Sequence, residues 1–117
     1  MKVAEIENNI LVVKEREDEK LDGRKGALVK VLGCGLCGSD IVKLTQHLAK
    51  EGTVLGHEIV ASIVEIDSDT DFKVGDTIIT SHHIPCGKCE YCKNGNVSMC
   101  RHFKETNIRP GGFSELV

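Results

Sequence analysis

PCGKCEYCKNGNVSMC, residues 85–100, carries four cysteines, Cys86, Cys89, Cys92 and Cys100, spaced C-x2-C-x2-C-x7-C. Four thiols on one short loop can close a tetrahedral cage around a single metal ion. Zinc favours that arrangement, and a four-cysteine cage leaves no open position for water or substrate. The run therefore predicts a structural metal lobe on a domain whose chemistry lies elsewhere. An iron–sulfur electron-transfer domain is the alternative, because bacterial clusters begin with the same C-x2-C-x2-C. Here seven residues, not three, precede the fourth cysteine, and Arg101, not proline, follows it.

The flanking sequence reads as β-rich. Lys2–Ile6 and Ile10–Lys14 are strands joined by an Asn8-Asn9 turn. Ala27–Leu32, Glu58–Ile66 and Thr77–Ser81 are further strands, the last entered through Gly75-Asp76. Residues 15–26 read as a solvated loop and 67–71 as an acidic turn. One helix is expected over Asp40–Lys50, where Ile41, Leu44 and Leu48 recur at helical spacing. Ser39 or Asp40 would cap its start and Gly52 would follow its end. Many short strands with one short helix predict a mainly β, barrel-like domain spanning 1–117.

Composition narrows the function classes. The chain has 117 residues, 40% hydrophobic and 28% charged, which is a globular composition. Aromatics are 3% and the net charge is −3, so neither base stacking nor phosphate binding dominates, and no nucleic-acid partner is expected. There is no apolar run of membrane-spanning length and no secretory signal at MKVAEIENN. A cytoplasmic location without membrane contact is the expectation. In that reducing setting six cysteines point to metal or catalysis before disulfides.

A second candidate site is split in sequence. Cys37 lies in GCGLCGSD (33–40) and His57 in LGHE (55–58), twenty residues apart. A thiolate and an imidazole are good zinc ligands but do not complete a site; a catalytic zinc takes three protein ligands and keeps one position open. Asp40 and Glu58 are the neighbouring carboxylates, able to orient a ligand. Gly35, Gly38 and Gly56 would let the backbone pass close to a metal. Residues 33–38 also fit G-x-G-x-x-G, but Glu58 begins a strand instead of ending one, so the glycines are read as flanks of a thiol and not as a dinucleotide fingerprint. Cys34 reads as a small half-buried thiol. His47 reads as a surface residue, and His82 and His83 as ordinary strand-end polar residues, with a place lining the substrate side as their alternative. Lys88, Lys93, Arg101, Lys104 and Arg109 would offset the charge of four thiolates.

Five motifs in register, GLCGSD (35–40), LGHE (55–58), VGD (74–76), PCGKCEYC (85–92) with Cys100, and GGFSELV (111–117), resemble the zinc-dependent medium-chain alcohol dehydrogenases of the sorbitol and threonine dehydrogenase type. The resemblance covers residues 29–117. It implies a GroES-like, partly open β-barrel with one or two short helices and a zinc-binding cysteine lobe. It implies that Cys37 and His57 ligate a catalytic zinc, that Ser39 relays the alcohol proton, that Asp40 acts behind the ligands, and that Glu58 stands beside the zinc and ligates it transiently. Cys86, Cys89, Cys92 and Cys100 are implied to hold the structural zinc. The substrate would be a small-molecule alcohol and the hydride acceptor NAD or NADP. A homo-oligomer is compatible with the lobe's place near subunit contacts in relatives. The family's third zinc ligand and its nucleotide-binding domain have no counterpart here. The expectation is thus a catalytic-domain fragment that does not turn over by itself. A zinc-stabilised interaction module without catalysis remains the reading from another class.

Overall fold

A computed structural model describes all residues, Met1–Val117. The elements in order are β1 (Lys2–Glu7), β2 (Ile10–Glu15), β3 (Gly26–Gly35), α1 (Gly38–Thr45), β4 (Glu58–Asp67), β5 (Thr77–Ile79) and α2 (Glu90–Lys93). Single 3-10 turns follow at Val97–Met99 and Phe103–Glu105.

β1 and β2 form an antiparallel hairpin in which Glu7 faces Ile10. Asn8 and Asn9 both sit at positive φ (50° and 64°), which a two-residue hairpin turn requires and asparagine tolerates. β3, β4 and β5 form a second antiparallel sheet, in that order. Period-two alternation along β4 explains its EIVASIVEI run. Ile59, Ala61 and Ile63 point inward and, with Val29, make the buried core, while Val60 and Val64 face out. Burying Ile59 or Ile63 contributes about 1.5–3 kcal/mol each.

The two sheets are joined by the final residues. Ala4 donates to the Phe113 carbonyl (2.7 Å), Val31 to Glu115 (2.9 Å) and Val29 to Val117 (2.8 Å), with Val117 donating back to Val29 (3.0 Å). Isolated bridges pair Val3 with Ser114 and Lys30 with Leu116. The result is the expected partly open, mainly β barrel.

Two boundaries differ from the sequence reading. β3 runs on to Gly35, past the expected end at Leu32, so Gly33 and Gly35 are strand residues. Because β3 pairs antiparallel with β4, the G-x-G-x-x-G stretch is not part of a β-α-β unit. α1 begins one residue before Ser39, is capped by Cys37, and stops at Thr45 instead of Lys50. Its end is set by His47, which takes the left-handed conformation (φ 54°). Leu48 N–H then reaches the Lys43 carbonyl (2.9 Å) and His47 N–H the Leu44 carbonyl (3.3 Å), the bond pattern of a Schellman motif. Leu48 continues the apolar spacing beyond the true end but is exposed.

Candidate metal centres and the cavity beside them

The ladder itself explains why Cys37 and His57 meet. Gly35 at the end of β3 pairs with Glu58 at the start of β4. Cys37 lies two residues beyond that pair and His57 one residue before it, so the intervening chain leaves and returns at one corner. The donor atoms of Cys37, His57 and Glu58 all lie within 4.8 Å of one another. A tetrahedron built on zinc bonds of ~2.0–2.3 Å has edges of ~3.3–3.8 Å, inside that limit. Cys37 and His57 are half-buried and Glu58 is exposed.

Asp40 sits beneath this corner with no exposed surface. Its Oδ2 accepts from the Cys37 N–H (3.3 Å), which ties the start of α1 to the site. Its Oδ1 has no hydrogen-bond partner and lies 3.6 Å from His57 Nδ1. The carboxylate does not cap the first helical turn as the sequence reading had it, but reaches back to the cap residue.

Two of the flanking glycines stand tight against protein neighbours. A Cβ on Gly35 would run into the Glu58 carboxylate, and Gly56, at φ 89°, lies where a Cβ would be 2.8 Å from the Phe113 ring and 2.9 Å from Cys34 Sγ. Both therefore admit protein neighbours. A Cβ on Gly38 would meet open space. Cys34 packs half-buried against the core and stays outside the donor cluster, its thiol pushed up by burial.

A cavity of about 400 Å³ opens beside the corner, lined among others by Ser39, Lys43, His57, His82, Phe103 and Asn107. Ser39 and Lys43 stand one helical turn apart on α1, and Lys43 is the only lysine or arginine in the lining. His82 takes the alternative sequence reading, a place in a pocket lining, and His83 is not the plain strand-end residue expected. His83 is buried (6% exposed) and His82 lines the cavity. Their rings stack with Phe103, at 4.3 Å from His83 and 5.2 Å from His82. Burial, then the charges of His83 and His57, hold the His82 ring below its ordinary pKa. The consecutive pair directly before the cysteine run was the available sequence signal.

The four lobe cysteines also converge, with all donor sulfurs within 4.8 Å. Cys86 and Cys92 sulfurs are 4.0 Å apart. Backbone N–H groups turn toward the sulfurs, Cys89 to Cys86 (3.3 Å) and Cys86 to Cys100 (3.4 Å). Cys89 caps α2, and the 3-10 turn at Val97–Met99 delivers the buried Cys100. The N–H groups of Arg101 and Cys92 pull the Cys89 thiol down to about 6, while burial and the other thiols push Cys92 up to about 12. Arg101 does not turn its guanidinium to the thiols. It pairs with Glu90 and lies 5.6 Å above the Tyr91 ring.

No helix is long and apolar enough to cross a membrane.

The sequence matches the family described as alcohol dehydrogenase GroES-like domain over residues 23–117. An L-threonine 3-dehydrogenase of Streptomyces avermitilis is 36% identical over 102 residues, 81% of this chain and 30% of the relative. A sorbitol dehydrogenase of Halalkalibacterium halodurans is 37% identical over 108 residues, 88% of this chain and 31% of the relative. The chain thus spans about a third of the length of these curated relatives. Among solved structures, galactitol-1-phosphate dehydrogenase from Escherichia coli superposes with a TM-score of 0.86 at 30% identity, covering 100% of this chain and 35% of that one. A zinc-binding dehydrogenase from Sinorhizobium meliloti, bound to NADP, gives 0.81 at 33% identity over 99% of this chain and 35% of that one.

Proposed function

The chain belongs to the alcohol dehydrogenase GroES-like domain family, and from that membership we propose that residues 1–117 are the zinc-holding, alcohol-binding domain of an NAD(P)-linked alcohol dehydrogenase. The observation that carries this reading is the meeting of Cys37, His57 and Glu58 at one corner, from which His57 reaches a cavity that Ser39 and Asp40 also line.

The donor chemistry suits zinc at both centres. Four cysteines fit a closed structural site, and one thiolate, one imidazole and one carboxylate fit a site that keeps a position open. The buried, unpartnered Oδ1 of Asp40 supports the second assignment. If His57 Nδ1–H turns to it, the tautomer is fixed and Nε2 is left as the free donor. A zinc ion held there supplies the Lewis acidity that makes a substrate hydroxyl acidic. Ser39, exposed on the first turn of α1, takes up the hydroxyl proton and passes it to solvent. Glu58 fills the third donor position within these residues and can yield it to another ligand.

NAD or NADP, bound outside these residues, would be the hydride acceptor, and that chemistry belongs to the cofactor. Every strand pairing here is antiparallel, so no β-α-β nucleotide unit lies within the 117 residues. Turnover is proposed to need a nucleotide-binding part beyond them, and purified residues 1–117 should not reduce NAD or NADP with any alcohol.

The deciding measurement is metal content. Zinc-loaded protein should hold two zinc ions per chain and be colourless. Cys37→Ala and His57→Ala should each hold one, retained by the lobe. A single zinc in the unaltered protein would leave only a structural module, and broad brown absorbance would mean an iron–sulfur cluster.

A further inference from the structure

Asn94-Gly95 is the one asparagine–glycine pair in the chain, and it lies exposed in the spacer between Cys92 and Cys100. Such a pair is chemically labile. The glycine backbone nitrogen can attack the asparagine Cγ, because glycine has no Cβ to obstruct the approach. A new N–Cγ bond closes a five-membered imide. The proton on that nitrogen and the side-chain amide leave together as ammonia, and water then opens the ring at either carbonyl. One opening gives aspartate. The other gives isoaspartate, in which the main chain runs through the former side chain and gains one carbon.

The folded lobe holds the two groups away from this reaction. Asn94 closes α2 at φ −92° and ψ 11°, and Gly95 follows at φ 80°. The Gly95 N–H donates to the Cys92 carbonyl (3.1 Å) and the Asn96 N–H to the Tyr91 carbonyl (2.9 Å), the two bonds of a Schellman end. The attacking nitrogen is the donor of the first bond. It reaches Cγ only if that bond breaks and Asn94 leaves its helical ψ. The motif stands on a single helical turn, and so short a helix does not persist in water without outside support. Here the support is the thiol cluster, since Cys89 caps the turn and Cys92 lies within it.

We propose that Asn94 is a modification site guarded by the lobe metal. It keeps its amide while the four thiols close on an ion and deamidates when the lobe opens, whether or not the domain serves a dehydrogenase. The change makes metal loss one-way. Isoaspartate lengthens the path from Cys92 to Cys100 by one backbone carbon and ends the Schellman pairing. Either product adds a negative charge beside four thiolates that already outweigh a divalent ion.

Free zinc at about 100 times its dissociation constant lowers the open population about 100-fold, and a reaction confined to the open lobe slows by the same factor. Zinc-loaded and chelated chains, aged under reductant at neutral pH, should therefore differ in the tryptic peptide Asn94–Arg101 read by mass spectrometry. Asn94 should turn to acid at least about tenfold faster in the chelated chain, while Asn8, Asn9, Asn96 and Asn107 change alike in both. Equal rates at Asn94 in the two states would overturn the proposal.

Returning zinc to the aged chelated protein tests the one-way step. The fraction of lobes left empty should match the isoaspartyl fraction. Asn94→Gln, a change at an exposed position whose longer side chain does not close the five-membered ring, should refill completely after the same treatment. Full refilling of deamidated chains would overturn the one-way step, and equal loss in Asn94→Gln would place the damage at the thiols and overturn it too. A lobe that never takes up zinc would defeat the whole inference, whereas the zinc count at the Cys37–His57 corner bears on the dehydrogenase reading alone.

Discussion

Asp40 is the residue on which the split site turns. A fully buried carboxylate oxygen without a partner is costly, and a neighbour that donates only when oriented explains its presence. Asp40→Asn keeps the volume but removes the charge that draws His57 Nδ1–H. The expected outcome is a zinc affinity at the Cys37–His57 corner lowered by about 10- to 100-fold, with the lobe zinc unchanged, read by competition with a chromophoric chelator. Equal loss at both centres would mean that the substitution acts through folding instead. The two sites were legible in the sequence to different degrees for a physical reason. The lobe cysteines lie close enough along the chain that spacing alone defines a cage. Cys37 and His57 are joined only by the β3–β4 register, which spacing does not contain, and they were read through motif resemblance. The burial of His83 was not legible because nothing in a histidine pair before a cysteine run announces it; the packing of both rings against Phe103 is a tertiary fact.

Elements carry the next two expectations. α1 was legible as a helix but not in its end, because Leu48 keeps the apolar period while standing in solvent, and because a histidine holds the position where glycine is usual. A left-handed non-glycine residue costs roughly 1–2 kcal/mol, and the greater freedom of glycine in the unfolded chain returns part of any gain. His47→Gly should therefore stabilise the domain by about 0.5–1 kcal/mol, measured by urea denaturation with unchanged slope. The cysteine lobe is an element of another kind. Its helix is a single turn, its backbone bonds are local, and two of its N–H groups point at sulfurs, so a metal held by the four thiols would supply much of its order. Chelation should speed amide exchange across residues 86–100 while β3 and β4, held by Ile59, Ala61 and Ile63, keep their protection. Uniform protection before and after chelation would show that the thiols are held by protein contacts alone.

At the scale of the whole molecule, the barrel depends on joints between the sheets as well as on the core. The final residues make one joint, by bonding to β1 and β3 at once. Glu5 makes another. It is buried on β1 (7% exposed) opposite Val54, and its carboxylate meets Lys14 Nζ (3.1 Å) and the Arg16 guanidinium. Arg16 goes on to donate to the Gly52 carbonyl (2.9 Å), so hairpin and loop are tied through one acid. Lys14 first, and then Arg16, hold the Glu5 carboxyl below its ordinary value of 4.5. A carboxyl with a depressed folded pKa binds its proton less readily folded than unfolded. Its stabilisation is present in full above the unfolded value and is lost as pH falls through the folded one. The melting temperature should accordingly decline as pH is lowered from about 5 toward 3. Glu5→Gln should melt lower at pH 7 and decline less over that window, since it has no charge left to lose. Parallel melting curves for the two proteins at every pH would show that the joint is held by backbone pairing, with the ion pairs contributing nothing.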